Sequence, residues 1–117
     1  MIKVYGYSRC STCRKALAWL DAAHLDYEVI DITVNPPDHD LLERALNQLA
    51  RRQLLFNTSG KSYRALGPEV VKSMTDKEAL DALSSDGRLI KRPFVELDSG
   101  KVLVGFKPED WSSCLLD

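Results

Sequence analysis

Ile2-Lys3-Val4-Tyr5-Gly6-Tyr7-Ser8-Arg9-Cys10-Ser11-Thr12-Cys13-Arg14 decides how the rest of the chain is read. Ile2, Val4 and the Tyr5/Tyr7 pair suit a pleated surface, and Gly6 gives the backbone room near a turn. From Lys15 the period changes. Leu17, Trp19, Leu20 and Ala23 fall on one helical face, with Arg14, Lys15 and Asp21 off it. Cys10 therefore stands where a strand ends and a helix begins, at or next to the N-cap. Cys13 lies one turn further in, on the same side.

That placement has chemical consequences. Free N–H groups and the positive end of the dipole at a helix start stabilise an anion, and a thiolate is one. Arg9 and Arg14 add positive charge nearby. The expectation is a lowered pKa at Cys10, with Cys13 close enough to resolve a mixed disulfide formed there. Two alternatives compete. A structural zinc site wants four ligands, and the remaining candidates, His24, His39 and Cys114, have no recognisable ligand spacing. The pair could also be inert core thiols. The strand, Cys-x-x-Cys, helix context favours redox chemistry over both.

At 117 residues the chain is long enough for one domain with a core that needs no cross-links. A net charge of −1 offers no bulk attraction to nucleic acid or to an anionic membrane. No charged-then-apolar leader and no long apolar run are present, so a soluble, unsecreted protein that avoids membranes is expected. Three cysteines are an odd number, with two in one short motif. That is redox usage in a reducing compartment, and the cytoplasm is the expected location.

Past the first helix, Tyr27 to Ile32 alternates as a second strand, making a βαβ unit with parallel strands and a right-handed crossover. Asn35-Pro36-Pro37 stops it. Asp38 caps a helix whose apolar stripe is Leu41, Leu42, Ala45, Leu46 and Leu49. Tyr63 to Leu66 makes one further helical turn before the Gly67-Pro68 break. Thr75 and Glu78 have capping-box spacing for a helix over about 77–84, closed by Asp86-Gly87. Phe94 to Leu97 and Lys101 to Phe106 spell a hairpin around Asp98-Ser99-Gly100, and Pro108 starts a last short helix. The order predicts an α/β thioredoxin-like fold: a mixed four-stranded sheet in a single domain over 1–117. Its core covers about 1–35 and 88–117, and an inserted helical lobe covers about 38–86.

Several separated motifs then point to one family. Cys10 to Ala16, Phe56 to Gly60, Tyr63 to Gly67 and Leu89 to Pro93 together resemble the arsenate reductase (ArsC)/Spx family, in this order and across the chain. The resemblance implies one of two functions. Arsenate reductases use a cysteine at the Cys10 position with glutathione and glutaredoxin. Spx proteins are transcriptional regulators that bind RNA polymerase and sense oxidants through a Cys-x-x-Cys. The reductases also hold their oxyanion with several arginines, of which only Arg92 has an obvious counterpart; the others fall near 57–59 and 105, where nothing is basic. Lys61 and Arg64 are the nearest substitutes.

The expected site follows. Cys10 is the nucleophile and Cys13 the resolving thiol. Arg92, Ser11, Thr12, Arg14 and Pro93 surround the substrate, and no metal takes part. Arg92 reads as a guanidinium fork for an anion beside Cys10, against the alternative of a solvated strand-end arginine. Pro93 resembles the cis-proline beside the active site of thioredoxin-like folds. Cys114 next to Trp111 reads as a packed thiol, and His24 and His39 as solvated turn residues. No bound cofactor is expected. Glutathione or another thiol donor serves as co-substrate, with a glutaredoxin or thioredoxin-type protein as reductant. The function implied is a thiol–disulfide oxidoreductase of arsenate reductase type, or else a redox-sensing regulator partnered with RNA polymerase.

Overall fold

The structure, a computed structural model, describes residues 1–116. Strand β1 (Ile2–Gly6), helix α1 (Ser11–Ala22) and strand β2 (Tyr27–Asp31) form the βαβ unit, with β1 and β2 parallel in the register Val4 opposite Val29. Strands β3 (Phe94–Glu96) and β4 (Val102–Val104) complete the sheet as an antiparallel hairpin, β3 pairing with β1. The order across the sheet is β2-β1-β3-β4, so it is mixed and thioredoxin-like. The hairpin strands are shorter than their alternation predicts. Gly100 (φ 90°) turns the hairpin, and Gly105 (φ 77°) bends the chain away toward α6 (Pro108–Leu115).

Period-2 alternation divides the core into two layers. On one face Val4, Val95 and Leu103 pack against Ala16 and Leu20 of α1 and Trp111 of α6. On the other, Phe94 and Val102 pack against the helical segment between β2 and β3 through Ile32, Leu42, Leu55 and Leu83. Phe94 and Val95, neighbours on β3, are both fully buried, as a strand covered on both faces requires.

That helical segment contains α2 (His39–Gln48), a 3-10 turn at Arg52–Leu55, α3 (Lys61–Leu66), α4 (Pro68–Ser73) and α5 (Asp76–Ser85). Asp38 caps α2, accepting from the Leu41 N–H at 2.8 Å, and Thr75 and Glu78 form the full capping box of α5. Helix α4 is not predicted by the sequence reading, which takes Gly67-Pro68 as a break. Gly67 (φ 95°) does end α3, but Pro68 then occupies the first turn of a new helix, where its missing N–H costs nothing. Arg52 holds α4 in place, donating to the carbonyls of Val71 and Met74 at 2.9 Å each.

Two contacts bring the segment back to the sheet. Gly87, in the 3-10 turn Gly87–Leu89, lies so close to the end of β2 that a Cβ on it would stand 1.7 Å from the Ile32 carbonyl oxygen. Asn57 donates to Leu89 O at 2.7 Å and Lys91 to Leu55 O at 2.8 Å, around an antiparallel bridge between Phe56 and Ile90. The turn after Phe56 is thereby tied to the segment that leads into Arg92. Among the described residues no helix is long and apolar enough to cross a membrane.

Candidate redox site

Cys10 is the N-cap of α1, as its position predicts. Its backbone is extended (φ −87°, ψ 113°), and its Sγ accepts the Cys13 N–H at 3.2 Å where a serine oxygen would otherwise sit. That bond gives one of the otherwise unpartnered N–H groups of the first turn of α1 an acceptor. The turn before it is braced twice: the Cys10 N–H donates to Tyr7 O at 3.0 Å, and Arg14 Nη1 donates to Ser8 O at 2.8 Å. Cys10 is half-buried, while Ser11, Thr12 and Arg14 are exposed on the first turn of the helix.

Cys13 lies beneath. It is 3% exposed and packed against Gly6, where an added Cβ would come 3.3 Å from its Sγ. Burial first, then its hydrogen bond to Cys10 and the charge of that neighbour, push the Cys13 thiol up to about 12. A Tyr7 backbone hydrogen bond and the Arg92 charge pull the other way. The two cysteines are thus unlike: one partly exposed with a cap role, the other buried and held protonated.

Arg92 reaches the site from the start of β3. The Arg92–Pro93 peptide is cis, as the thioredoxin-like comparison implies, and Pro93 is fully buried. The Arg92 guanidinium lies 5.7 Å from the centroid of the Tyr7 ring. Beyond Tyr7 opens a cleft of about 190 Å³, whose walls include Tyr7, Thr33, Asn57, Lys61, Arg88 and Arg92. Arg92 is therefore not a lone cation. Of the two residues expected to supplement it, Lys61 lines the cleft, whereas Arg64 turns back and donates to Ser59 O at 2.8 Å.

Arg88, Tyr7 and Thr33 are the cleft residues that sequence reasoning misses. Arg88 sits in a segment that reads only as a helix stop, and the close approach of Gly87 to Ile32 is what delivers it. Thr33 is held by Asp31, whose carboxylate accepts both its N–H (2.9 Å) and its hydroxyl (2.6 Å). Those bonds hold the Asp31 carboxyl below its usual range, with a smaller contribution from Arg88.

On the other side of Tyr7 is a more apolar groove of about 320 Å³ between α1 and β2, lined by Val4, Cys13, Arg14, Leu17 and Val29. Arg14 thus belongs to the groove and not to the cationic cleft. Cys114 packs among the partly buried residues around Trp111. His24 is exposed in the turn after α1, and His39 is half-buried with its Nε2 3.3 Å from Asp81. Among the described residues no three His, Cys, Asp or Glu side chains gather as metal ligands.

A sequence profile described as the ArsC family matches residues 5–114. The chain belongs to the ArsC family. The uncharacterized protein YusI of Bacillus subtilis is 42% identical over 110 residues, 92% of each chain. The crystal structure of a possible arsenate reductase from Streptococcus mutans superposes with a TM-score of 0.87 at 43% identity, covering 96% of this chain and 98% of that one. The global transcriptional regulator Spx of Lactiplantibacillus plantarum is 25% identical over 112 residues, 94% of this chain and 83% of its own length. This ArsC-family chain therefore resembles both a reductase-type structure and a regulator.

Proposed function

We propose that this ArsC-family protein is a cytoplasmic thiol–disulfide oxidoreductase with Cys10 as nucleophile and Cys13 as resolving thiol. The observation that carries the reading is the asymmetry of the pair: the Cys10 sulfur caps α1 through the Cys13 N–H, and Cys13 lies buried one turn below. The Cys10 thiolate attacks one sulfur of a substrate disulfide, forming a mixed disulfide and releasing the first thiolate. Cys13 then gives up its proton and attacks the Cys10 sulfur. The Cys10–Cys13 disulfide forms and the second thiolate leaves. Glutathione, or a glutaredoxin or thioredoxin-type protein, returns the pair to two thiols.

The forces on Cys13 order these steps. Two of the influences that raise it, the hydrogen bond to Cys10 and the Cys10 charge, disappear once Cys10 is tied in a mixed disulfide. The resolving thiol thus becomes easier to ionise when it is needed. Arg92 holds an anionic part of the substrate, its planar fork steadied over Tyr7. Arsenate is the poorer substrate, because Cys13 competes with an external thiol for any adduct on Cys10.

The test compares reduction of a small glutathione mixed disulfide, with glutathione and glutaredoxin, against arsenite production by the same protein. Disulfide turnover that is lost in Cys10→Ser and falls in Cys13→Ser is expected. Robust arsenite formation, abolished by Cys10→Ser and Arg92→Ala and unaccompanied by disulfide turnover, would make the protein an arsenate reductase instead.

The groove supports a second reading. Cys13 lines it, and Val29 at its edge is 51% exposed, so closing the Cys10–Cys13 disulfide would alter an apolar surface open to a protein partner. In that reading the chain is a redox-sensing regulator of Spx type acting on RNA polymerase. Absence of catalytic turnover, together with oxidation-dependent polymerase binding, would favour it.

A further inference from the structure

The cationic cleft has more positive charge than the Cys10 chemistry requires. Attack on a disulfide by a thiolate needs access and a suitable leaving group, and neither depends on cations one wall away from the sulfurs. Lys61 and Arg88 nevertheless line the same cleft as Arg92, and they come from separate parts of the fold. Lys61 is the first residue of α3, and Arg88 lies in the 3-10 turn beside β2. No hydrogen bond or ion pair at 4.0 Å or less ties up either side chain among the described residues, whereas Arg14, Arg44, Arg52 and Arg64 are all occupied. Thr33 and Asn57 add neutral hydrogen-bonding groups to the walls.

Size limits what the cleft can take. At about 190 Å³ it is smaller than the roughly 300 Å³ at which pockets begin to enclose a whole drug-sized ligand. It can seat one anionic end of a substrate whose sulfur lies outside, across Tyr7. Tyr7 is the shared element: its ring carries Arg92 at the cleft, and its carbonyl accepts the Cys10 N–H.

We propose that Lys61 and Arg88 are specificity-determining residues that, with Arg92, bind a carboxylate of the thiol or disulfide co-substrate. The protein would then prefer carboxylate-bearing sulfur compounds to neutral ones of similar size. This rests on the reading of Cys10 as the nucleophile and adds the substrate class to it.

Two aryl disulfides separate the two claims: a bis(nitrobenzoate) disulfide, which carries carboxylates, and dipyridyl disulfide, which is neutral near pH 7. With either, the Cys10 thiolate takes one aryl sulfur into a mixed disulfide and expels an aryl thiolate. Cys13 then expels the second, so the protein dithiol becomes a disulfide and the reagent two thiols. Stopped-flow absorbance gives both rate constants, and mass spectrometry locates the adduct in Cys13→Ser. The ratio of anionic to neutral rate constants is expected to fall about tenfold in Lys61→Gln/Arg88→Gln, and to fall with added salt in the wild type. In Arg64→Gln, whose guanidinium is turned away, the ratio should hold. A Cys10 adduct with both reagents and an unchanged ratio in the double variant overturns the assignment of Lys61 and Arg88. No adduct at Cys10 with the neutral reagent overturns the thiol chemistry on which it rests.

Discussion

The Arg92 guanidinium sits over the Tyr7 ring, 5.7 Å from its centroid, and the Tyr7 carbonyl accepts the Cys10 N–H. One residue of the turn thus joins the cationic side of the site to the sulfur side. A cation over a partly exposed aromatic face contributes roughly 0.5–1 kcal/mol. Tyr7→Leu should therefore raise KM for an anionic mixed disulfide about threefold. Tyr7→Phe keeps the ring face and should stay near wild type, so steady-state kinetics on the two variants isolates the ring from the hydroxyl.

Cys13 should alkylate far more slowly than Cys10 at neutral pH, because burial and its neighbour push its thiol up to about 12. In Cys10→Ala the Cys10 influences vanish and burial, the largest, remains. The Cys13 inflection should move down without reaching that of an exposed thiol. Mass-spectrometric alkylation rates against pH give both values, and an unshifted inflection in Cys10→Ala would show that Cys10 has no hold on Cys13.

The same raised value links stability to pH. The folded state favours the protonated Cys13 thiol, so its contribution is fully present below the ordinary value of 9.0 and is lost as pH rises toward 12. Chemical denaturation of the reduced protein between pH 8 and 11, in approximate steps of one unit, should show a steeper loss than in Cys13→Ala.

Gly87→Ala should be severely destabilising. The new methyl would meet the Ile32 carbonyl at 1.7 Å, a backbone atom that cannot move aside alone. Overpacking of this kind costs about 3 kcal/mol or more, and the melting temperature should fall by roughly 10 °C. Because Gly87 also delivers Arg88, any folded fraction should lose its preference for the anionic reagent.

Arg52→Ala should loosen α4. Its guanidinium satisfies the Val71 and Met74 carbonyls and pairs with Asp76 at 2.9 Å. Losing those charge-assisted bonds costs about 2 kcal/mol. Amide exchange over 68–73 should quicken while the Cys10 reaction rate is unchanged.

The local features follow from residue order. A strand that runs into Cys10, a helix period from Lys15, caps at Asp38 and Thr75, and a hairpin about Gly100 depend on neighbours within a few positions. Short-range sterics and hydrogen bonding decide such features, and so they are legible in one dimension. The unequal placement of Cys10 and Cys13 is legible for the same reason, since a helix start treats its cap and its third residue differently. Helix α4 is the local miss. Gly67-Pro68 is compatible with both a stop and a start, and tertiary contacts support the start: Arg52, from an earlier turn, satisfies the Val71 and Met74 carbonyls, and Val71 is buried in the core. The cleft belongs to tertiary structure. Lys61, Arg88 and Arg92 are brought together by the Phe56–Ile90 bridge and by the contact of Gly87 with the Ile32 backbone. Nothing in the spacing of 61, 88 and 92 encodes that meeting, because charge converges through packing of distant segments and not through periodicity. The depth of Cys13 is likewise a packing result: Gly6 on β1 leaves room for its sulfur, and the packing of α1 on that strand leaves it only 3% exposed.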